Sequence, residues 1–169
     1  MKHFLPLAGL FLLSFSARAQ QPQAQNTATS KVGCMDPDTR LLADEVRQHY
    51  AAQGFAVVRN AMLTMSSNQP FPVVIELAEK EKYQIAFVGN KDANLLTAEI
   101  LGPDKRRLFH QTNRTKKTGS RVITFPFNAP RTDAYLFILQ QNLRHDETCG
   151  GFLMFRDTLK TRTAPVAPF

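Results

Sequence analysis

Between Lys105 and Arg121 the chain carries Lys105, Arg106, Arg107, Arg114, Lys116, Lys117 and Arg121, and not one carboxylate. Ammonium and guanidinium groups gathered on one element create a positive field, and the chemistry of such a field is the capture of polyanions. Strands on both sides would make the run a β-hairpin with a long polar loop. The plainer role for that hairpin is a solvated sheet edge whose charges block pairing with another sheet, and this is the first expectation. Polyanion recognition by the seven cations is the functional alternative. The partner it implies is an anionic glycan or polymer of the cell envelope, or an acidic protein surface.

Other constellations carry less. Asn90, Asp92 and Asn94 alternate oxygen-bearing side chains, as a calcium loop does. Lys91 adds a positive charge among them, and only Asp92 is ionised, so a turn whose Asn and Asp bond their own backbone is expected instead. The histidines after the leader are His49, His110 and His145, and no H-E-x-x-H joins any of them. A G-x-S-x-G elbow and both glycine-rich phosphate signatures are missing from the sequence. His145-Asp146-Glu147 lies close to Cys149, but its spacing matches no standard ligand set, and a solvated loop is expected there. The chain points to no cofactor, and no metal site is assigned.

Cys34 and Cys149 are the two cysteines. Without nearby histidine ligands they cannot close a zinc site. In an oxidising compartment such a pair forms a disulfide, the alternative being two buried thiols. That compartment is signalled at the start of the chain. Met1-Lys2-His3 is a short basic opening, an apolar run follows from Phe4 to Phe15, and Ala17-Arg18-Ala19 fits a cleavage site. Residues 1–19 therefore read as a secretory leader. The run is too short to span a bilayer, which takes roughly 20 residues, so no transmembrane segment is expected after cleavage. The destination is periplasmic or secreted. The formal charge is +7, of which Lys2 and Arg18 belong to the leader, leaving +5 for residues 20–169. Neither that charge nor the location suggests nucleic acid.

The elements that must position these groups follow from periodicity. Residues 20–33 are polar and rich in Gln, Thr and Ala, a flexible linker. A helix is expected over 37–53: Asp36 caps it, Pro37 takes its first position, Leu42, Val46 and Tyr50 form an apolar stripe with Leu41 beside it, and Gly54 stops it. The period then becomes two. Phe55, Val57, Ala61, Leu63 and Met65 alternate, as do Val73, Ile75 and Leu77; Tyr83, Ile85 and Phe87; and, more weakly, Leu96, Ala98 and Ile100. Ile123, Phe125 and Phe127 follow, then Tyr135, Phe137 and Leu139, then Phe152 and Met154. Turn residues such as Gly89-Asn90, Gly102-Pro103-Asp104 and Ala129-Pro130-Arg131 separate the runs. The fold class expected is mostly β: an antiparallel, jelly-roll-like sandwich of seven to eight strands with wet outer faces, preceded by one helix. It would occupy 34–157, with a flexible tail at 158–169.

The segments Glu81–Phe109, Val122–Leu139 and Gly150–Phe155 give the stretch 79–156 a family likeness. It resembles the secreted bacterial pre-peptidase C-terminal type of β-sandwich, with Tyr83, Gly89-Asn90, Asp104 and Tyr135 at comparable places. It departs where Asp133-Ala134 replaces a usual glycine, and where the Asn90–Asn94 turn is less acidic. The resemblance implies a sandwich fold and an accessory, non-catalytic role. The function expected is thus an exported binding or accessory module. Two alternatives stay open: a secreted hydrolase whose acid and base carboxylates converge only in the fold, and a structural subunit of a surface assembly.

Overall fold

The computed structural model describes residues 34, 36–144 and 147–158. The leader at 1–19, the linker at 20–33 and residues 159–169 of the tail lie outside the described residues. In chain order the elements are α1 (Pro37–Ala52), β1 (Phe55–Ser66), β2 (Phe71–Leu77), β3 (Lys82–Val88), β4 (Leu95–Leu101), β5 (Arg107–Arg114), the one-turn α2 (Thr115–Thr118), β6 (Val122–Asn128), β7 (Asp133–Asn142) and β8 (Glu147–Asp157).

Eight strands form two four-stranded sheets, ordered β1-β8-β3-β6 and β2-β7-β4-β5. Every paired neighbour is antiparallel. This is the jelly-roll order: successive strands change sheets at each connection except the β4–β5 turn. The alternating positions of the sequence fill the space between the sheets. Ile85, Phe87, Leu96, Ile100, Ile123, Tyr135, Phe137 and Phe152 lie there with almost no exposure. Tyr135 is fully buried, and its hydroxyl donates back to the Arg131 carbonyl at 2.7 Å, which satisfies the phenol and pins the start of β7. Gly89 sits where a Cβ would lie 2.3 Å from Leu96 Cδ2, so the turn after β3 can only be this close to the core without a side chain.

Three expectations need correction. First, only one sheet keeps a wet outer face. The α1 stripe of Leu42, Val46 and Tyr50, with Ala43, covers the outside of the first sheet over Ala86, Val88, Leu153 and Phe155. This explains the unbroken apolar run Phe152–Phe155: β8 is buried on both faces. Leu41 does not share that stripe and stands 63% exposed. Second, the first strand does not alternate throughout. A register shift between Val57 and Arg59 breaks its pairing with β8, and Val57 and Val58 are both exposed. Third, the basic stretch is not a hairpin loop. It contains a strand, β5, which pairs with β4 and forms the free edge of the second sheet. The chain then crosses through α2 to β6 in the other sheet. The polar face of β5 hides its period, while Phe109 stacks inward on Phe125 with ring centroids 3.7 Å apart.

The helix is fixed at its start. Asp36 accepts the Thr39 amide at 3.1 Å as N-cap, and Cys34 is disulfide-bonded to Cys149 on β8. A Cβ on Gly151 would lie 3.3 Å from the Cβ of Val88 and 3.4 Å from that of Ala43, so α1 packs directly over this part of β8.

Candidate anion-binding cleft

In an antiparallel sandwich the connections alternate between its two ends. The β3–β4, β5–β6 and β7–β8 connections therefore share one end, and the β4–β5 turn lies at the other. This divides the seven candidate cations. Lys105, Arg106 and Arg107 lie at the β4–β5 turn; Arg114, Lys116, Lys117 and Arg121 lie at the far end of β5, about 24 Å away at the usual strand rise. The first group is partly neutralised. Arg106 Nε lies 3.9 Å from Asp104, and Arg107 Nε lies 3.0 Å from Glu99, whose second oxygen faces His110 Nδ1 at 3.4 Å. No carboxylate within ion-pair distance of the second group is found among the described residues.

At that second end lies a cleft of about 600 Å³. Four cations line it: Lys91, Lys116, Arg121 and Arg144. Asp92 is the one carboxylate among its described lining residues, and Asn94, Thr115 and Gly119 supply neutral polar wall. The described lining contains no aromatic ring.

The walls are tied by hydrogen bonds that the local sequence dictates. Asn113, 8% exposed, donates to the Ser120 carbonyl at 3.0 Å and accepts from Thr118 Oγ1 at 2.7 Å, folding the crossover back on itself. Gly119, with φ of 70°, ends α2 in the left-handed conformation that glycine adopts freely. Thr115 joins the crossover to the β3–β4 loop. Its amide donates to the Asn94 carbonyl at 3.1 Å, and its hydroxyl donates to the Ala93 carbonyl. The Arg121 carbonyl accepts the Gly89 amide at 2.8 Å.

The β3–β4 loop is held from behind as well. Gln141 is fully buried; its Oε1 accepts the Asn90 amide at 3.0 Å and its Nε2 donates to the Cys149 carbonyl at 2.9 Å. The Asn90 side chain donates to Asp36 at 3.2 Å. Both halves of the disulfide thus lead, through Asp36 and through Gln141, to the residue preceding Lys91. Lys91 itself pairs with Asp38 at 3.1 Å. The hydrogen bond to Asp38 and the charges of Asp38 and Asp92 raise its pKa above the ordinary 10.5.

This arrangement separates the three oxygens considered for calcium. Asn90 turns toward α1 and its Oδ1 accepts the Asp92 amide at 3.0 Å, while Asp92 and Asn94 face the cleft beside Lys91. That is the geometry of an Asx turn. His145 and Asp146 lie outside the described residues, and Glu147 opens β8. His49 and His110 sit on α1 and β5, and no group of three or more metal-ligating side chains gathers among the described residues.

No protein-family model matches the chain, and no curated protein matches it. Among solved structures, the periplasmic inhibitor of g-type lysozyme PliG from Aeromonas hydrophila is similar over 62% of this chain and 89% of its own, at 8% identity and a TM-score of 0.44. A CBM4 structure is similar over 62% of this chain and 75% of its own, at 17% identity and 0.35. The arabinose-bound MgGH51 α-L-arabinofuranosidase is similar over 67% of this chain and 25% of its own, at 15% identity and 0.33. None of these three is a pre-peptidase C-terminal domain.

Lys91 and Arg144 belong to no charge run, because each is a solitary cation in its own loop. The signal that finds them is topological: once the strands are known to alternate sheets and direction, their loops must meet the crossover that carries Lys116 and Arg121.

Proposed function

We propose that the chain is an exported, non-catalytic binding module that holds an anionic envelope glycan or polymer at the cleft end of its sandwich. The observation that carries the proposal is the convergence of Lys91, Lys116, Arg121 and Arg144, from three separate connections, on one cleft with Asp92 as the single carboxylate among its described lining. Cations brought together by three loops concentrate anions at that point far more than the same charges spread over a surface. A two-carboxylate hydrolytic site needs a pair of carboxyl groups roughly 5–9.5 Å apart across a cleft, and the described lining of this one offers a single carboxylate. The disulfide suits an oxidising compartment. The accessory role agrees with the one that the pre-peptidase C-terminal resemblance implies.

Edge protection has its own support, since Arg107 and Arg114 stand exposed at the two ends of the free edge strand β5. It accounts for those two cations and leaves Lys91 and Arg144 unexplained.

The test is retention on immobilised heparin and on acidic envelope polysaccharide, measured against salt. Replacing Lys116, Arg121 and Arg144 by Ser should remove salt-sensitive retention. Replacing Lys105, Arg106 and Arg107 by Ser removes the same formal charge at the other end and should leave most of it. Equal loss in the two triple variants, or no retention of the parent chain, overturns the proposal.

A further inference from the structure

Four of the described strands end the two sheets, β1 and β6 in the first, β2 and β5 in the second. Each presents a row of backbone donors and acceptors on its outer side, a template for pairing with another strand. Three of these edges carry a device that denies the row to a newcomer. β2 contains Pro72 and β6 contains Pro126, both exposed, and a proline tolerated in an edge strand turns its missing donor to the open side. β5 sets Arg107 and Arg114 at its two ends, with His110 and Thr112 exposed between them.

β1 has neither device. It is the longest of the described strands, with 12 residues, no proline and a single charge, Arg59. Its register shift is confined to the start, between Val57 and Arg59, and from Arg59 to Ser66 the pairing with β8 is unbroken. Over this stretch the side chains alternate. Asn60 and Met62 lie outside, beside Ala43 of α1, while Leu63 and Met65 join the core. The side of the sandwich that β1 borders is also less closed than the other. Where β5 meets β6, Phe109 stacks on Phe125. On the opposite side, between β1 and β2, Leu63, Phe71 and Val73 pack against the core and stay only half-buried.

The strand that fits this edge is a second β1. Two identical strands, antiparallel about a two-fold axis, satisfy both backbone rows at once. The axis must pass through a residue, because inward side chains have to stand opposite inward ones. At Met62 it sets Asn60 opposite the partner's Thr64; at Leu63 it sets Met62 opposite the partner's Thr64. In neither register does Arg59 stand opposite its own copy, so the charge does not oppose the pairing. A lone extended peptide would add a strand to the first sheet and leave the second as it is. A second sandwich also brings its β2 alongside, so that Phe71 and Val73 of the two copies cover one another without the backbone bonds that Pro72 forbids.

We propose that the chain forms a two-fold dimer by antiparallel pairing of β1 with β1 over Arg59–Ser66. This goes beyond anion binding and does not depend on it.

The experiment is sedimentation equilibrium of the oxidised protein over a concentration series reaching about 1 mM, where a complex with a Kd of that size is well populated. The parent chain should approach twice its monomer mass, and alternate amides of Arg59–Met65 should gain protection from solvent exchange as the dimer fills. Asn60→Lys with Thr64→Lys sets ammonium groups opposite or diagonal to one another in either register, and should weaken association roughly 10-fold or more. Asn60→Lys with Thr64→Glu makes the same contacts attractive and should restore it. A urea midpoint close to the parent's establishes that each variant is folded. A parent chain that stays monomeric throughout the series overturns the proposal. So does a dimer that survives the double Lys variant, or one that the Lys/Glu variant fails to restore. A parent that dimerises only once residues 20–33 are removed would give the edge to that segment, which leads into Cys34 at the Cys149–Thr64 pair, and would likewise overturn it.

Discussion

Gln141 is the side chain on which the cleft wall should depend most. It is fully buried on β7, and its single amide group serves two backbone groups: the Asn90 N–H of the β3–β4 loop at 3.0 Å and the Cys149 carbonyl of β8 at 2.9 Å. Gln141→Leu keeps similar bulk and removes both bonds. It leaves one half-buried donor and one half-buried acceptor unpaired, each costing up to the about 1–3 kcal/mol of a fully buried group. The expected loss is therefore about 1–4 kcal/mol after a small return from the added apolar surface. Urea unfolding of the oxidised protein should show a lower midpoint with an unchanged slope, since the area exposed on unfolding is the same. The Asn90 amide should also exchange with solvent far faster than in the parent, and retention on heparin should weaken because Lys91 and Asn94 lose their fixed loop. A loss below about 1 kcal/mol would refute the reasoning, because at that size water or a small backbone shift must be satisfying both groups.

The remaining predictions concern the latch behind that loop. Replacing Cys34 and Cys149 together by Ser opens a loop of 115 residues in sequence separation; the chain-entropy model puts the stabilisation near 4.8 kcal/mol. A double variant that loses less than about 2 kcal/mol in urea would mean that the unfolded chain stays compact without the bridge. Lys91 should titrate above 10.5 by NMR, with Asp38→Asn returning it toward that value, because the hydrogen bond to Asp38 is the largest cause of its raised pKa. Its folded-state pKa is the higher one, so the stability from this pair is fully present below pH 10.5 and fades as the pH climbs through the raised value. A Lys91 that titrates at 10.5 in the parent chain would dismiss the pair.

The helix and seven of the eight strands were legible because their residues answer to local rules. Asp36-Pro37 starts a helix wherever an apolar stripe follows, and Ile123, Phe125 and Phe127 can share one face only as a strand. β5 was not legible, for a physical reason. It is an edge strand whose outer positions carry Arg107, His110, Thr112 and Arg114, and a register shift between Ile100 and Leu101 displaces the pairing at its start. The inward positions after Phe109 are Gln111 and Asn113, so no apolar alternation marks the strand although its burial alternates from Phe109 to Arg114. Half the cleft was hidden by the same limit. Lys116 and Arg121 belong to a visible charge run, whereas Lys91 and Arg144 are brought to them by strand order, which is a property of long-range pairing.

The disulfide and the cleft are therefore parts of one construction. A jelly roll leaves its end loops free to vary, and loops with few apolar contacts are the first parts of a fold to open. Here the β3–β4 loop has little apolar anchorage beyond Ala93, yet it is fixed from three directions: by Thr115 from the crossover, by Gln141 from β7 and by Asp36 from the start of α1. The last two meet at the Cys34–Cys149 bridge, one through each cysteine. A bridge that served global stability alone would function wherever it closed a long loop. Its position at the helix start, two hydrogen bonds from Asn90 by way of Gln141, makes it a support for the wall that carries Lys91 and Asn94. Anion affinity should therefore fall in the double Ser variant even under conditions where that variant is fully folded.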